Sequence, residues 1–254
     1  FYPRLWPGSS TGPAADHLAR GRQFLHVIGT PQSTDVPVFG YDVTKTIAID
    51  KVDLPTRVYT APGSAWLVAS LYRAKETGTQ WYFAPLALPL TRAPEWKPLA
   101  SIRGKLSLPQ LRGDTVYALS RGTADRGQIV RRALRTDGDG EWTTVVPEQR
   151  GVIVSFTVQE DALYFTERDS GAVLLRRVMR GRTAVEAVTI PSKGTVRLQR
   201  GQPSTVGVTF FTETWATAPH WQRVVDRTGR VEALPIDDGS AATQAGAVTS
   251  ATLQ

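Results

Sequence analysis

The chain has 254 residues, a formal net charge of +7 and a hydrophobic content of 41%. That length fits one all-β domain or two smaller domains, and the apolar content is sufficient for a core. No apolar run approaches the ~20 residues that cross a bilayer as a helix, so we predict no membrane partner. Cysteine is absent, which excludes disulfides and thiolate metal sites and leaves cytoplasmic and periplasmic or secreted locations equally open.

Arginine supplies most of the positive charge, since lysine accounts for only six of the 30 basic residues. Such an excess can indicate an acidic partner or nucleic acid. The arginines recur as dyads, however, at Arg131 and Arg132 and at Arg176 and Arg177. Because neighbouring residues of a strand point to opposite faces, a dyad cannot present one basic surface. We therefore predict no nucleic-acid partner.

The two ends of the chain differ in composition from its centre. Residues 1–19 are rich in proline and glycine and predict a loop or the remnant of a preceding element. We expect strands to begin near Gln23, with residues 13–22 as the one weak candidate for a helix. Residues 237–254 are small and polar and predict a linker or tail.

Between these ends the chain repeats one pattern: an apolar strand, a turn, a second strand that ends in basic residues, and a proline stop. Four copies span residues 65–99, 113–147, 160–191 and 208–235, after a partial unit at 24–42. A period of about 40 to 50 residues built from short strands is typical of one four-stranded propeller blade. The sequence therefore predicts an all-β propeller over residues 20–236, with four to five blades present. Residues 137–140 and 228–230 are predicted to form hairpin turns.

Three patterns that can indicate chemistry are better explained as structure. Residues 8–12 match the G-x-S-x-G nucleophile pattern, but prolines flank them and no α/β-hydrolase sheet follows, which favours a loop. Residues 137–141 resemble a calcium loop without its later carboxylates, which favours a hairpin turn. His17, His26 and His220 have no second ligand at metal-binding spacing. We predict no catalytic residue, no metal site and no cofactor.

Six tryptophans fall in or beside predicted strands: Trp66, Trp81, Trp96, Trp142, Trp215 and Trp221. They could form an aromatic platform for a carbohydrate or a peptide. Packing in the core and between blades is the default interpretation.

Residues 24–36 read FLHVIGTPQSTDV, and further motifs follow in colinear order over residues 22–235. The first segment resembles the Y-x-H-x-L-G-T-x-x-x-x-D segment in the propeller of the prolyl oligopeptidase family. Residues 142–148 read WTTVVPE, similar to a tryptophan followed by the V-V-P-E end of a blade. Further similar segments follow in the same order at 161–164, 190–196 and 211–219.

This resemblance implies a seven-bladed propeller joined to an α/β-hydrolase domain of the same parent chain, which carries the serine, aspartate and histidine of a serine peptidase. The chain resembles only the later blades, so no triad residue can be assigned to it and we expect it to be inactive alone. The family's propeller restricts entry to short proline-containing peptides, which implies a substrate-gating role. One propeller arginine of the family contacts the bound peptide. Arg121, after the strand that contains Tyr117, is the best match, and Arg126 is the second.

A different class of function remains open, namely a stand-alone β-propeller that binds protein or glycan partners. A gene of that kind is expected to end near Gln254. A peptidase gene is expected to continue into βα units that contain a glycine-flanked serine.

Overall fold

The computed structural model describes residues 1–4, 19–76, 78–99, 106–135, 140–191, 194–199, 206–215 and 217–235. These residues form β-strands and one short 3-10 helix at Gln32–Thr34. The strands are β1 Tyr2–Arg4, β2 Arg22–Leu25, β3 Val36–Gly40, β4 Leu54–Tyr59, β5 Trp66–Arg73, β6 Gly78–Pro85, β7 Lys97–Pro98, β8 Leu106–Arg112, β9 Thr115–Ser120, β10 Gln128–Ala133, β11 Thr143–Val146, β12 Val152–Val158, β13 Ala162–Asp169, β14 Ala172–Met179, β15 Val185–Ala187, β16 Thr195–Leu198, β17 Val208–Thr214, β18 Thr217–Val224 and β19 Val231–Ala233. Within the described ranges, no helix is long and apolar enough to span a membrane.

Within the described residues, strands that follow one another in sequence pair with each other and form five sheets. Strands β1 to β3 form a three-stranded sheet, and β4–β7, β8–β11, β12–β15 and β16–β19 form four-stranded sheets. Four-stranded meanders of this kind are propeller blades, so the predicted all-β propeller of four-stranded blades is confirmed. The repeated sequence pattern corresponds to the second, third and fourth strands of each blade.

Burial decreases from the second strand of a blade to the fourth. In β5 and in β13 the first six residues are all buried, whereas β7 is exposed throughout and β15 contains no buried residue. A strand that is covered on both faces requires a continuous apolar run rather than an alternating one. This explains why the second strands, with the sequences WLVASLYR and ALYFTERD, are among the most recognisable parts of the repeat.

The chain divides into two compact units, and the β8–β11 sheet contributes residues to both. The first unit contains Phe1–Gly104, Leu111–Val116 and Arg132–Glu141. The second contains Lys105–Gln110, Tyr117–Arg131 and Trp142–Gln254.

Aromatic rings fill the core of the first unit. The Phe39 ring centroid lies 5.0 Å from that of Trp96 and 5.7 Å from that of Tyr82. The buried side chain of Gln23 in β2 donates a 2.7 Å hydrogen bond from Nε2 to the carbonyl of Pro55 in β4. Ring packing and this bond together hold the first sheet against the second.

The described residues of the second unit form two apolar clusters, one around Ile129, Phe156 and Phe165 and one around Tyr164 and Phe210. The part-buried side-chain amide of Gln110 joins the β8–β11 sheet to the β12–β15 sheet. Gln110 donates from Nε2 to the Phe156 carbonyl at 2.6 Å, and its Oε1 accepts from the Val158 N–H at 3.1 Å.

Aspartates at equivalent positions of two copies also join neighbouring sheets. The Oδ1 atom of Asp114 accepts from the N–H of Ala65 at 3.2 Å, and Oδ1 of Asp161 accepts from the N–H of Gly207 at 2.9 Å. Both donors immediately precede the second strand of a blade. Each aspartate side chain therefore bonds to the backbone of a neighbouring sheet. Asp114 bonds to the sheet that precedes its own in the sequence, and Asp161 bonds to the sheet that follows its own.

The expectation that strands begin near Gln23 is wrong. Strand β1 pairs with β2 in antiparallel register, with Tyr2 opposite Phe24 and Pro3 opposite Gln23. Proline weakens the strand signal in the sequence, but an edge strand tolerates it because one side has no partner strand. The described end of the candidate helix, residues 19–22, forms a turn and the start of β2.

The predicted hairpin turn at 228–230 is confirmed. It joins β18 to β19, with hydrogen bonds from Val225 N to Arg230 O at 3.0 Å and from Gly229 N to Asp226 O at 3.2 Å. Residues 8–12, His17, most of the turn at 137–140 and the tail at 237–254 lie outside the described residues. The boundaries after residues 19 and 236 therefore stay predictions.

Candidate functional site

Arg121 and Arg126 both lie on the loop that joins β9 to β10 in the second unit. Arg121 is half-buried, and its Nη2 donates a 2.8 Å hydrogen bond to the carbonyl of Ile153. The Arg126 side chain is 53% exposed, and its Nε lies 3.5 Å from Oε1 of Glu148. The loop therefore presents one half-buried guanidinium held by a backbone carbonyl and one more exposed guanidinium, whose Nη1 donates to the Arg150 carbonyl at 3.3 Å.

Glycine determines the path of this loop. Gly127 has φ of +88°, and its N–H donates to the Ala124 carbonyl at 2.9 Å. A Cβ at this position would lie 3.0 Å from Cδ1 of Leu119. The Ile153 N–H donates to the Arg126 carbonyl at 2.8 Å. The turn is thus closed tightly and is attached to the start of β12.

The β11–β12 loop lies beside the β9–β10 loop, because β9 and β11 run in the same direction and end at the same edge of their sheet. Three ion pairs follow one another along this edge: Arg126 with Glu148 at 3.5 Å, Arg150 with Asp169 at 3.5 Å, and Arg176 with Glu167 at 3.0 Å. We call residues 121–127, 147–151 and 167–169, together with Arg176, the arginine edge. Its charges alternate in sign; the pairs of Arg126 and Arg150 are partly or largely exposed, whereas the Glu167 carboxylate is buried.

Exposed pairs of this kind contribute only about 0–1 kcal/mol, because water screens them. A ligand carboxylate can therefore replace Glu148 or Asp169 at little cost. Arg121 differs, because its partner is a neutral carbonyl and it makes no other side-chain hydrogen bond to the described residues. Its remaining N–H groups are oriented donors that suit a peptide carbonyl or carboxylate.

A second charged cluster, in the first unit, surrounds Asp35. Its buried carboxylate lies 2.8 Å from Nδ1 of His26 and 2.8 Å from Nη2 of Arg4, and it accepts a 2.5 Å hydrogen bond from the Tyr2 hydroxyl. The Tyr2 hydrogen bond lowers the pKa of Asp35 most, with further lowering by His26 and Arg4, while burial acts in the opposite direction. His26 and Asp35 are the histidine and aspartate of the H-x-L-G-T-x-x-x-x-D resemblance, so this motif encodes a structural contact.

The described tryptophans differ in their exposure to solvent. Trp66 and Trp96 are buried, as the packing interpretation predicts, whereas Trp215 in the β17–β18 turn is fully exposed and contradicts it. In the part of the chain that the structure describes, no group of three or more histidine, cysteine, aspartate or glutamate residues could hold a metal ion.

Comparison with known families assigns the fold. The model of the prolyl oligopeptidase N-terminal β-propeller domain matches residues 1–233. The chain therefore belongs to the prolyl oligopeptidase family, as an N-terminal β-propeller domain. A search of curated protein sequences finds no significant match.

Solved peptidase structures share this fold. Prolyl oligopeptidase B from Galerina marginata, bound to a 35mer hydrolysis and macrocyclization substrate, has a TM-score of 0.72 at 13% identity and covers 91% of this chain and 32% of its own. A prolyl endopeptidase from a study of inter-domain dynamics in catalysis and specificity has a TM-score of 0.69 at 18% identity. The match covers 85% of this chain and 30% of the endopeptidase. Oligopeptidase B from Leishmania major has a TM-score of 0.63 at 17% identity, and the match covers 84% of this chain and 30% of that peptidase. The chain thus spans about a third of the length of these peptidases.

Proposed function

We propose that this chain is the substrate-gating propeller of a prolyl oligopeptidase-like serine peptidase that cleaves short proline-containing peptides. The family match over residues 1–233 carries the proposal. The groups that perform acyl transfer, a serine nucleophile with its histidine base and an aspartate, belong to an α/β-hydrolase domain of the same parent chain. The propeller chain is inactive alone.

Gating of this kind discriminates by conformational freedom. A flexible peptide can enter a narrow passage without losing any folded structure. A folded protein must first unfold, locally or completely, at a cost of up to about 5–15 kcal/mol. The blades can impose this selection because their central strands are buried and hydrogen-bonded on both sides. Specificity for short peptides then requires no attractive contact with the propeller.

Arg121 is the residue best placed to add an attractive contact. The Ile153 carbonyl already orients its guanidinium, so less side-chain freedom is lost when a peptide binds. Arg126 is more exposed and is shared with Glu148, so its contribution is a local positive field. Together they favour the carbonyls and the terminal carboxylate of a peptide.

The first test compares the 254-residue chain with the full-length protein that its gene encodes, on a chromogenic Gly-Pro substrate. We expect hydrolysis by the full-length protein alone, and we expect a serine-reactive phosphonate to abolish it. A full-length protein without this activity would contradict the assignment to a peptidase. Phosphonate-sensitive hydrolysis by the isolated chain would contradict its predicted inactivity.

A second test addresses gating itself. The same proline-containing site is placed in a stable folded domain and in a permanently unfolded variant of that domain, and kcat/KM of the full-length protein is measured for both and for the free peptide. Cleavage of the peptide and of the unfolded variant, with at least a hundredfold lower kcat/KM for the folded domain, supports the gate. Equal cleavage of folded and unfolded forms would refute it while leaving the peptidase assignment intact.

A further inference from the structure

A second arginine-rich feature lies at the opposite end of the β12–β15 sheet from Arg150 and Asp169. A cavity of about 360 Å³ opens there, and four of its lining residues are Arg177, Arg180, Arg182 and Arg227. Three turns of the second unit build it: β12–β13, β14–β15 and β18–β19. Neither Arg121 nor Arg126 lines this cavity, so it is separate from the arginine edge.

Arg177 forms the buried wall of the cavity, since its side chain is only 7% exposed. Its Nε and Nη2 each lie 3.0 Å from Oε2 of Glu186, and Nη2 also donates to the Thr228 carbonyl at 3.2 Å. Its Nη1 is buried and has no acceptor at ordinary hydrogen-bond geometry among the described residues, while the neighbouring Tyr164 hydroxyl also interacts with the guanidinium group. An unpaired buried N–H of a cation is costly, and an acceptor that enters the cavity would satisfy it.

The acidic residues of the lining leave positive charge uncompensated. Asp161 already accepts from the Tyr164 hydroxyl at 2.7 Å and from the Gly207 N–H at 2.9 Å. Glu186 is paired with Arg177, and it lies 3.8 Å from Nη1 of Arg182. With Glu160, the lining contains three carboxylates against four guanidinium groups.

Two of the exposed guanidinium groups, those of Arg180 and Arg227, have no carboxylate partner among the described residues. Arg180 donates from Nη2 to two neutral acceptors, the carbonyls of Gln159, at 3.3 Å, and of Glu160. Arg227 is exposed and makes no side-chain hydrogen bond or ion pair to the described residues. The backbone fixes the site as well, because the Arg180 N–H donates to the Asp161 carbonyl at 2.8 Å. The guanidinium groups of Arg177 and Arg180 are therefore held by hydrogen bonds before any ligand arrives, whereas that of Arg227 is oriented only when a ligand binds.

We propose that this cavity binds a small oxyanion, a phosphate or a carboxylate, which accepts from Nη1 of Arg177 and is enclosed by Arg180 and Arg227. Guanidinium groups match the geometry of both anions. The volume is near the lower end of the roughly 300–1,000 Å³ of small-molecule pockets, which suits a compact anion. The site is independent of the proposed peptidase gating.

The test is an NMR titration of the full 254-residue chain at constant ionic strength with inorganic phosphate, N-acetylglutamate and chloride. The amides of Gly207 and Gly229 report on the site, because Gly207 bonds to Asp161 and a Cβ on Gly229 would lie 3.1 Å from Nη1 of Arg177. We expect saturable shifts with phosphate, N-acetylglutamate or both, and none with chloride. A phosphate-only response identifies a phosphate ligand, and a response to N-acetylglutamate alone identifies a carboxylate.

Two variants and a matched control complete the experiment. Arg227→Gln and Arg180→Gln each remove one charged donor, so we expect the anion Kd to rise about tenfold or more. Arg131→Gln removes the same charge from an exposed residue of β10 that does not line the cavity, and it should leave Kd unchanged. Absence of saturable shifts, or equal weakening by Arg131→Gln, would overturn the proposal. Arg177 is kept intact because its removal would leave Glu186 without its closest partner.

Discussion

The indole Nε1 of Trp96 donates a 2.8 Å hydrogen bond to the carbonyl of Val38, 58 positions earlier in the chain. Val38 lies in β3 of the first sheet, and Trp96 immediately precedes β7 of the second. Both residues are buried. The bond satisfies the one polar group of the largest side chain in this core and joins two sheets that share no strand.

We expect Trp96→Phe to destabilise the chain by about 1–3 kcal/mol, because it leaves the buried Val38 carbonyl without its donor. Trp96→Ala should cost more, about 3–5 kcal/mol, since it also creates a cavity. Urea unfolding of the two variants measures both effects. Trp215→Phe, at a fully exposed position, is the control and should change stability by less than about 0.5 kcal/mol. Equal losses at both tryptophans would contradict the burial that the structure assigns.

Arg121→Gln should lower kcat/KM of the full-length peptidase for a proline-containing peptide by about 10- to 100-fold, the equivalent of one charge-assisted hydrogen bond. Arg126→Gln should have a smaller effect, because Glu148 already shares that charge. Steady-state kinetics with the control Arg131→Gln provide the measurement. If all three variants behave alike, Arg121 is a loop residue held by Ile153 and has no role in substrate binding.

Acid should weaken the first unit through Asp35. The pKa of Asp35 is lowered in the folded chain, chiefly by the Tyr2 hydrogen bond, so its stabilising effect is complete above the unfolded value of about 3.9 and is lost as pH falls through the lowered folded value. Asp35→Asn should reduce the slope of stability against pH in this acid range. Part of the slope should remain, since hydrogen bonding from Thr228 also lowers the pKa of Asp226.

Urea midpoints of the original chain and of Asp35→Asn, measured from pH 2.5 to pH 7, test this directly. Tyr2→Phe retains the carboxylate but removes its strongest hydrogen bond. The fall of its urea midpoint at low pH should therefore be intermediate between those of the original chain and of Asp35→Asn. If the urea midpoints of all three proteins fall identically at low pH, Asp35 titrates alike in the folded and unfolded chains.

Gly127→Ala should destabilise the second unit by more than Gly171→Ala. Both glycines have positive φ, +88° and +83°, and alanine in this region costs about 1–2 kcal/mol. A Cβ at Gly127 also meets Leu119 at 3.0 Å, whereas Gly171 has nothing within 4 Å. The difference in unfolding free energy between the variants isolates the contact. Equal losses would indicate that the β9–β10 loop is less tightly closed than the structure shows.

The repeat made the blades predictable, because strand alternation and hairpin turns are local properties. The pattern contained three of the four strands of each blade and omitted β4, β8, β12 and β16. Some of these first strands are difficult to recognise from sequence: β8 contains Pro109, and β16 has only four residues, Thr195–Leu198. Their assignment depends on hydrogen bonds to the strand that follows.

The site was only partly accessible to sequence reasoning. Resemblance indicated Arg121 and Arg126, and the structure places both on one loop. The His26 and Asp35 contact also had a signal, since both residues belong to the quoted motif. The cavity around Arg177 had none, because its arginines lie up to 50 positions apart in the sequence and only the folded chain brings them together.

By itself, the sequence determined the β-structure, its period and the alternation that separates the two members of each arginine dyad. Tertiary structure decided which member is buried: Arg132 and Arg177 lie inside, whereas Arg131 is exposed and Arg176 is partly exposed. The reason is physical. Alternation along a strand assigns neighbouring residues to opposite faces, but the neighbouring sheets determine which face is covered and which charges lose contact with water.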